Sequence, residues 1–404
     1  MLAAIAWKNV WRSKRRSGIM IAAIAAGLWG GVFAVGMFTG MYDAMVAAAI
    51  DRNLTHVQVH APGFREERLI GLAIPNPDSV VAAIRSNRGV ETVSPRTVIE
   101  AIAASPTSTQ GVSLFGVDPG SERAATSVSR RMVAGSFFEG GERTPVVIGR
   151  KLAEKLGVKL RAKLVLSFQR PDGTIVYGAF RIAGLFDTEA TTFDGRTVFV
   201  RRADLDPLVG ELLIHEIAVR IASNDSLEAV AGALSSRFPA LRVETWKDLA
   251  PELKITAESA DITMGIFLGV ILLALLFGIT NTMLMSVLER TREFGVLIAI
   301  GMKRTRVFGM ILTETLFLSL TGAVVGVACG SATVLWFGTR GIDLSFFAGG
   351  LSLYGISSFL YPVVHPVMYP TVAIMVVVAA CASAVYPGVR AVRLRPATAI
   401  ATFG

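Results

Sequence analysis

The stretch Glu289–Arg306, "ERTREFGVLIAIGMKRTR", carries seven charged residues among eighteen and separates two long apolar runs. Its apolar residues Phe294, Leu297, Ile298 and Met302 recur at i, i+3, i+4 and i+8, a spacing that predicts a short amphipathic helix. Gly301 predicts the end of this helix, before the basic residues that follow it. Such a helix either anchors the loop at a membrane surface or presents a face to a cytoplasmic partner. The spacing of the residues leaves both interpretations open.

The apolar runs around this stretch indicate a membrane protein. A helix of about 20 residues crosses the roughly 30 Å hydrocarbon core of a bilayer. Apolar residues make up 52% of the 404 residues and charged residues only 18%, which is more apolar than an ordinary soluble protein. Four runs are long enough to be transmembrane helices: Gly18–Tyr42, Ile262–Val287, Val307–Thr339 and Pro366–Pro387.

Lysine and arginine flank these runs asymmetrically. They precede the first run, fill the segment between the second and third runs and follow the fourth, whereas residues 341–365 contain none. Because short basic loops stay on the cytoplasmic side, both termini are predicted to be cytoplasmic and residues 47–261 to lie outside. That outer segment has as many acidic as basic residues, so the net charge of +9 belongs to the membrane-proximal segments. The expected partner of this charge is anionic membrane lipid, not nucleic acid.

Residues 47–261 show strand and helix patterns in alternation. Stretches such as "HVQVH", "AKLVLSF" and "TIVYGAFRIAGLF" predict strands, and "RPDGT" between two of them predicts a hairpin turn. The predicted fold is an α-helical membrane protein with four transmembrane helices and a large mixed α/β extracytoplasmic domain inserted between helices 1 and 2. Its predicted segments are 1–46 (an amphipathic N-terminal segment and helix 1), 47–261 (the inserted domain) and 262–404 (helices 2–4 and the charged stretch).

The sequence lacks the patterns of common catalytic and metal sites. His56 and His60 are four residues apart, but "THVQVH" alternates like a strand and would hold them roughly 13 Å apart. Neither G-x-S-x-G nor H-E-x-x-H occurs, and no phosphate loop G-x-x-x-x-G-K-[ST] occurs. We therefore expect a chain that is not an enzyme and holds no metal or cofactor, so that any use of ATP would need another subunit.

Glycines spaced four residues apart occur in two of the apolar runs. Small residues on one helix face let backbones approach closely in lipid. The contact could lie within this chain or against a second copy of it, and the sequence leaves both open. The glycines are Gly27, Gly31, Gly36 and Gly40 in the first run, and Gly322, Gly326 and Gly330 in the third.

Glu314 is a carboxylate about two turns into the third run. A charge at the bilayer centre costs about 2.5–3.5 kcal/mol on insertion scales. An ion relay would need further polar partners in the runs, and few are present. We therefore expect a structural role, in which Glu314 bonds a neighbouring helix or reaches Arg304 or Arg306.

The segment "ERTREFGVLIAIGMKRTRVFGMILTETLFLSLTGAVVGVACG" resembles the ABC-transporter permease domain shared by MacB-type exporters, the lipoprotein-release permeases LolC and LolE, and FtsX. "AWKNVWRSKRRSG" and "YPGVRAVRLRPATAIA" are similar to the opening and closing amphipathic segments of that family. "LFGVDPG" and "PVVIGRKLAEKLGVKL" resemble its MacB-like periplasmic core domain. The family's glutamate–arginine pair matches Glu289 and Arg290, and its R-E-x-G motif matches Arg292, Glu293 and Gly295. Its A-x-G turn matches Ala299 and Gly301, and its glutamate early in the third transmembrane helix matches Glu314.

This resemblance implies an arrangement of subunits. Residues from Glu289 to Met302, including Leu297 and Ile298, would form a coupling helix that docks on a dimer of a cytoplasmic ABC ATPase, which binds the ATP and Mg. A second permease copy, identical or different, would complete the complex. The chain would be a multi-pass protein of the bacterial inner membrane with residues 47–261 in the periplasm, and it would transmit ATP-driven motion mechanically to that domain.

Three functions are compatible with the resemblance. The leading one is the release of lipoproteins, or similarly hydrophobic substrates, from the inner membrane, because the organisation without a fused ATPase domain resembles LolC and LolE. The others are MacB-like efflux of peptides or antibiotics with an adaptor, and FtsX-like signalling to a cell-wall hydrolase. The hairpin tip Arg170, Pro171, Asp172 and Gly173 would correspond to the hook by which LolC holds a periplasmic lipoprotein carrier, although this tip is short.

Overall fold

The computed structural model describes residues 14–352, 355 and 357–393. Parts of the two predicted amphipathic end segments, residues 6–13 and 394–401, lie outside the described residues. The chain divides into two compact units. A helical unit comprises Met1–Tyr42, Ala257–Asp343 and Phe359–Gly404, and an α/β unit comprises Asp43–Thr256 and Leu344–Ser358.

Long helices dominate the first unit and short ones the second. The helices are α1 (Lys14–Ala49), α2 (Phe64–Glu67), α3 (Pro77–Arg85), α4 (Pro119–Ala125), α5 (Arg150–Leu156), α6 (Thr191–Asp194), α7 (Arg202–Val209), α8 (Leu227–Arg237), α9 (Trp246–Leu249), α10 (Pro251–Glu289), α11 (Thr291–Ala299), α12 (Arg304–Arg340), α13 (Ala348–Leu351) and α14 (Met368–Val392).

Among the described residues, four helical segments are long and apolar enough to cross a membrane: Ser17–Leu54, Ile262–Glu289, Arg304–Arg340 and Met368–Val392. They are called spans 1 to 4 below and confirm the four predicted runs. Buried side chains of all four spans form one cluster, in which Leu28, Ile279, Ile311 and Val376 each represent one span. In lipid such packing is favoured by close van der Waals contact, since the solvent is itself apolar.

The α/β unit is built on one mixed sheet. Its strands are β1 (Val57–His60), β2 (Val90–Ala104), β3 (Thr109–Val117), β4 (Met132–Gly135), β5 (Pro145–Gly149), β6 (Lys163–Gln169), β7 (Ile175–Phe186), β8 (Thr197–Arg201), β9 (Glu216–Ile221) and β10 (Arg242–Thr245). Their order is β10-β1-β9-β2-β3-β8-β5-β7-β4, and β6 pairs with β2 and β7. The pairs β3–β8 and β5–β7 are parallel and the others antiparallel, so the predicted α/β domain between spans 1 and 2 is confirmed.

A buried charge cluster lies inside this unit. Arg96 on β2 is fully buried, and its guanidinium donates at 2.8 Å to both carboxylate oxygens of Glu122 on α4. It also bonds Glu216 on β9 and the carbonyl oxygen of Asn53, just after α1. Burial favours the neutral form of Glu216, but the Arg96 charge outweighs it and lowers the Glu216 pKa to about 2. The cluster therefore ties β2, β9 and α4 to the segment by which the chain enters the unit.

The segment Leu344–Ser358 belongs to a different unit from the one predicted, because the sequence analysis grouped it with the transmembrane helices of residues 262–404. It follows strand β11 (Ile342–Asp343), which pairs with β12 (Phe359–Leu360). The segment itself belongs to the α/β unit, where the N–H of Thr191 donates to the carbonyl oxygen of Ser352 at 3.2 Å. Hydropathy alone could not predict this, because the contact joins residues far apart in sequence.

Candidate coupling site

Helix α11 lies between spans 2 and 3 and is separated from span 2 by one residue. Arg290 leaves the helical conformation, with φ −103° and ψ 17°. The hydroxyl of Thr291 donates to the carbonyl oxygen of Leu288 at 2.7 Å, which satisfies one carbonyl at the end of α10. The chain therefore makes a sharp break at Arg290 and starts a new helix at once.

The other end of α11 is a Schellman C-cap. The N–H of Met302 donates to the carbonyl oxygen of Leu297 and the N–H of Gly301 to that of Ile298, both at 3.0 Å. Gly301 has φ +98°, a conformation that glycine adopts without steric cost. The helix ends at the glycine that the sequence indicated.

One face of α11 is covered by the spans. Phe294 is only 1% exposed and belongs to the buried cluster of the helical unit, while Leu297, Ile298 and Met302 are half-buried against that cluster. Gly295 is also buried. The apolar stripe seen in the sequence therefore points inward.

The opposite face of α11 is exposed and partly apolar. Val296 is 40% and Ile300 is 79% exposed, and Ala299 is exposed beside them. Arg292 and Lys303 are exposed at the two ends of this face. Val296 and Ile300 form a second apolar row, four residues apart in the sequence, but the apolar spacing of a helix predicts a buried face and not an exposed one.

The carboxylate of Glu314 in span 3 is paired with Arg290. Glu314 is 3% exposed, and Nη1 of Arg290 lies 3.2 and 3.1 Å from its two oxygens. The expectation that Glu314 reaches Arg304 or Arg306 is wrong, since both side chains are exposed at the start of α12. Long cationic side chains near a helix end reach towards water, whereas Arg290 sits at the break and faces the interior.

Arg290 also contacts α11 itself. Its Nε donates to Glu293 at 2.8 Å, and its guanidinium lies 5.3 Å from the centre of the Phe294 ring. Glu289, the last residue of α10, is exposed. The predicted coupling residues therefore fall into two groups. The residues that pack against the spans, bond Glu314 or bond Arg290 hold the helix in place, and the others are exposed: Glu289, Arg292, Ala299 and Gly301.

The glycines of span 3 contact the backbone of span 1. A Cβ on Gly326 would lie 2.6 Å from the carbonyl oxygen of Ala25, and one on Gly322 or Gly330 would lie 2.8 Å from the Cβ of Ile24 or Val32, respectively. The two helices therefore approach each other along this row, within one chain.

The glycines of span 1 also face neighbours in the same chain. A Cβ on Gly31 would lie 2.8 Å from Ile271 of span 2, and one on Gly27 would lie 3.6 Å from Leu275. One on Gly36 would lie 2.9 Å from Val334 of span 3, and one on Gly40 would overlap the carbonyl oxygen of Tyr361. These contacts occupy the glycine faces, so packing against a second copy is not needed to explain them.

Two family domains match this chain. Residues 17–237 match the MacB-like periplasmic core domain, and residues 265–396 match the FtsX-like permease C-terminal domain. The chain belongs to the MacB/FtsX family of permeases. The second match includes α11 and Glu314, so the coupling site lies within the family's permease domain.

Relatives of this permease include macrolide exporters and a permease of unassigned role. The macrolide export ATP-binding/permease protein MacB of Nitrobacter winogradskyi is 27% identical over 288 residues, which cover 67% of this chain and 41% of that protein. The ABC transporter permease YvrN of Bacillus subtilis is 23% identical over 365 residues, covering 81% of this chain and 85% of YvrN. The permease thus spans about two fifths of the MacB relative.

Two solved structures are similar to part of the permease. The periplasmic region of MacB from Actinobacillus actinomycetemcomitans has a TM-score of 0.35 at 13% identity and covers 51% of this chain and 94% of that one. The extracellular domain of the transporter YknZ from Gram-positive bacteria has a TM-score of 0.33 at 16% identity and covers 47% of this chain and 99% of that one.

The hairpin between β6 and β7 of the permease has a three-residue tip. The N–H of Arg170 donates to the carbonyl oxygen of Thr174 at 2.8 Å, and Gly173 at φ +86° closes the loop from Pro171. The backbone N–H of Thr174 donates to Asp172, which lowers the pKa of that carboxyl. The tip is exposed, but the Nε of Arg170 is bound to the carbonyl oxygen of Leu208 at 2.7 Å.

The α/β unit also places His60 between two carboxylates. Its ring nitrogens lie 3.7 Å from Glu216 and 3.5 Å from Glu244. Burial disfavours the charged imidazole, but the two carboxylates outweigh it, so that the pKa of His60 is raised. Among the described residues of the permease, no group of three or more His, Cys, Asp or Glu side chains is arranged to hold a metal ion.

Proposed function

We propose that this chain is the membrane subunit of an ABC transporter and that α11 docks on a separate cytoplasmic ATPase subunit. The observation that carries the proposal is the exposed face of α11. Val296, Ala299 and Ile300 remain uncovered there between Arg292 and Lys303, while the other face is packed on the spans. A helix with such a face fits a groove on a partner protein.

The charge pattern supports a cytoplasmic position for this face. The stretch from the end of span 2 to the first turn of span 3 carries Arg290, Arg292, Lys303, Arg304 and Arg306. Short loops rich in lysine and arginine stay in the cytoplasm, where an ATPase has access to ATP. Because span 2 separates this basic stretch from residues 47–261, those residues would lie on the opposite side of a bacterial inner membrane, in the periplasm.

The proposed mechanism is mechanical. ATP, bound together with Mg by the ATPase, would supply the energy, and its binding would draw two ATPase subunits together. The residues of this chain hold the docking helix on the spans, and helices α1 and α10 each include residues of both the helical unit and the α/β unit. Because a ligand shifts a two-state equilibrium only by its differential affinity, the ATPase must bind one arrangement of α11 more tightly than the other. Two copies of the permease would complete the complex.

Two aspartate substitutions test the docking face. We expect Val296→Asp and Ile300→Asp to abolish co-purification of the ATPase subunit, because each buries a charge in an apolar contact. Leu212→Asp is the control, since Leu212 is also exposed but lies in the α/β unit. Retention of the ATPase by both α11 variants would refute the docking role.

The substrate we propose is a lipoprotein or a similarly hydrophobic molecule of the cell envelope. Ile102 on β2, Ser167 on β6 and Tyr177 on β7 are in register across the sheet, and Ile102, Tyr177 and nearby Ile175 are all more than half exposed. An exposed apolar sheet face beside the Arg170–Gly173 tip supports contact with an apolar substrate or with the carrier or adaptor that receives it.

The names of the MacB relatives favour a second candidate, export of macrolide-like compounds. Affinity purification of the chain from mild detergent, followed by mass spectrometry, separates the two. An ATPase with a soluble lipoprotein carrier would support lipoprotein release, and an ATPase with an adaptor and a channel would support efflux. Recovery of no ATPase would refute the proposal of an ABC transporter.

A further inference from the structure

A single arginine joins helix α11 to the interior of span 3. Arg290 stands at the break between α10 and α11, and its side chain is largely buried. The Nε atom bonds Glu293 on α11, while Nη1 bonds both oxygens of Glu314 on α12. One guanidinium therefore contacts two helices through two different nitrogens.

The ion pair between Arg290 and Glu314 is largely buried in the helical unit. A carboxylate that is 3% exposed in an apolar span is costly unless a cation or donors stabilise it. Removal of the arginine would leave that carboxylate without this cation. The planar fork of the guanidinium can serve two carboxylates at once, which a lysine ammonium at the same place would do less well.

The same contacts set the rotation of α11. Successive residues of an α-helix are about 100° apart around its axis. A turn of α11 by one residue would carry Glu293 away from Arg290 and Phe294 out of the cluster in which it is buried. Burial of Phe294 still keeps Val296 and Ile300 outward when Arg290 is replaced, so the docking face does not depend on this arginine. The exposed cations Arg292, Arg304 and Arg306 do not occupy this position.

We propose that Arg290 is a positioning residue that links the coupling helix rigidly to span 3. With the link intact, a displacement of α11 by the ATPase moves span 3. Without it, the displacement is absorbed at the break after α10. The inference rests on the proposed docking of α11 on an ATPase, and it adds which span receives the motion and through which atoms.

The test uses the full chain in complex with the ATPase subunit that co-purifies with it, in lipid nanodiscs. The readouts are retention of the ATPase, and kcat and KM for ATP of the complex compared with the isolated ATPase subunit. Because motions that accompany turnover set kcat in many enzymes, a permease that resists or favours the motion of α11 is expected to change kcat for ATP hydrolysis. For Arg290→Gln we expect unchanged retention and KM, and a loss of about fivefold or more in the permease-dependent change of kcat.

Two further variants separate positioning from folding. In the double variant Arg290→Met with Glu314→Leu, both charges are replaced by apolar groups of similar size, a change that buried ion pairs often tolerate without loss of stability. We expect this variant to keep its thermal midpoint and to retain the ATPase, yet to be uncoupled like Arg290→Gln. For Arg290→Lys we expect a permease-dependent change of kcat between those of the native chain and Arg290→Gln, because lysine keeps the positive charge but not the planar fork of the guanidinium.

Arg306→Gln is the matched control. It removes the same charge from a residue that precedes Glu314 by two turns but is exposed. We expect native kcat and KM for this variant. A stronger effect from Arg306→Gln than from Arg290→Gln would overturn the assignment.

The two proposals fail in different ways. If Val296→Asp and Ile300→Asp both leave the ATPase attached, the docking role of α11 is refuted. If Val296→Asp detaches the ATPase while Arg290→Gln and the apolar double variant both keep the native permease-dependent kcat, docking stands and the positioning role of Arg290 is refuted.

Discussion

Replacing Gly326 by alanine should separate spans 1 and 3. The new Cβ would lie 2.6 Å from the carbonyl oxygen of Ala25, and 2.9 Å from both the Cα of Ala25 and the Cβ of Leu28. Ordinary contact between carbon and another heavy atom needs about 3.5 Å, so the helices must move apart by roughly 0.9 Å at this point. Neither Ala25 atom belongs to a side chain, so no rotamer change can relieve the overlap.

The expected cost follows from this displacement. Overpacking of a close-packed interface typically costs about 1–3 kcal/mol, while alanine gains up to about 1 kcal/mol over glycine in helix propensity. We therefore expect Gly326→Ala to lower the free energy of unfolding by about 1–2 kcal/mol, seen as a drop of several degrees in the thermal midpoint in detergent.

Gly309→Ala on the same helix is the control. A Cβ at Gly309 would have no atom within 4 Å, so we expect an unchanged or slightly higher midpoint. Adding Ala25→Gly to Gly326→Ala should give no rescue, because the overlap is with backbone atoms. Equal midpoints for Gly326→Ala and Gly309→Ala would show that spans 1 and 3 are not in backbone contact.

Three further predictions concern the charge cluster and the cap of α11. The pKa of His60 is raised from 6.5, so the protonated imidazole contributes fully to stability below pH 6.5, and this contribution is lost as the pH rises through the folded pKa. Between pH 5 and 8.5 the thermal midpoint should therefore fall more steeply for the native chain than for His60→Gln. Parallel curves for the two chains would exclude the effect. Arg96→Met leaves Glu122 and Glu216 buried without their cation and should cost about 3–5 kcal/mol in denaturant unfolding, whereas a loss below 1 kcal/mol would contradict the buried pair. Gly301→Ala imposes a positive φ on a residue with a side chain, at a cost of about 1–2 kcal/mol; we expect weaker ATPase retention, and Gly265→Ala, in open space on span 2, serves as its control.

Local features of the sequence were enough to predict the main divisions of the molecule. The four spans follow from uninterrupted apolar runs, and the end of α11 follows from Gly301, because hydropathy and backbone conformation are properties of neighbouring residues. The hairpin tip at Asp172–Gly173 follows for the same reason. The spacing of residues left two interpretations of the stretch Glu289–Arg306 open, and the family resemblance favoured docking on an ATPase, which stays a prediction.

Contacts between distant segments were not predictable in this way. Arg304 and Arg306 stand closer to Glu314 in sequence, yet Arg290 pairs with it because the break before α11 turns that side chain inward. The outward position of Val296 and Ile300 depends on the same break, since apolar residues on both faces of a short helix do not indicate which face the spans will cover.

By itself the sequence determined that this chain crosses a membrane four times, inserts an α/β domain after the first span and carries a short amphipathic helix after the second. Only the tertiary structure decided that Gly326 meets the backbone of Ala25, that Arg96 forms ion pairs with two buried glutamates and that Arg290 pairs with Glu314. The physical reason is that helices, strands and spans are specified by residues adjacent in the chain. Close packing and charge pairing are specified by residues that become neighbours only after the chain has folded.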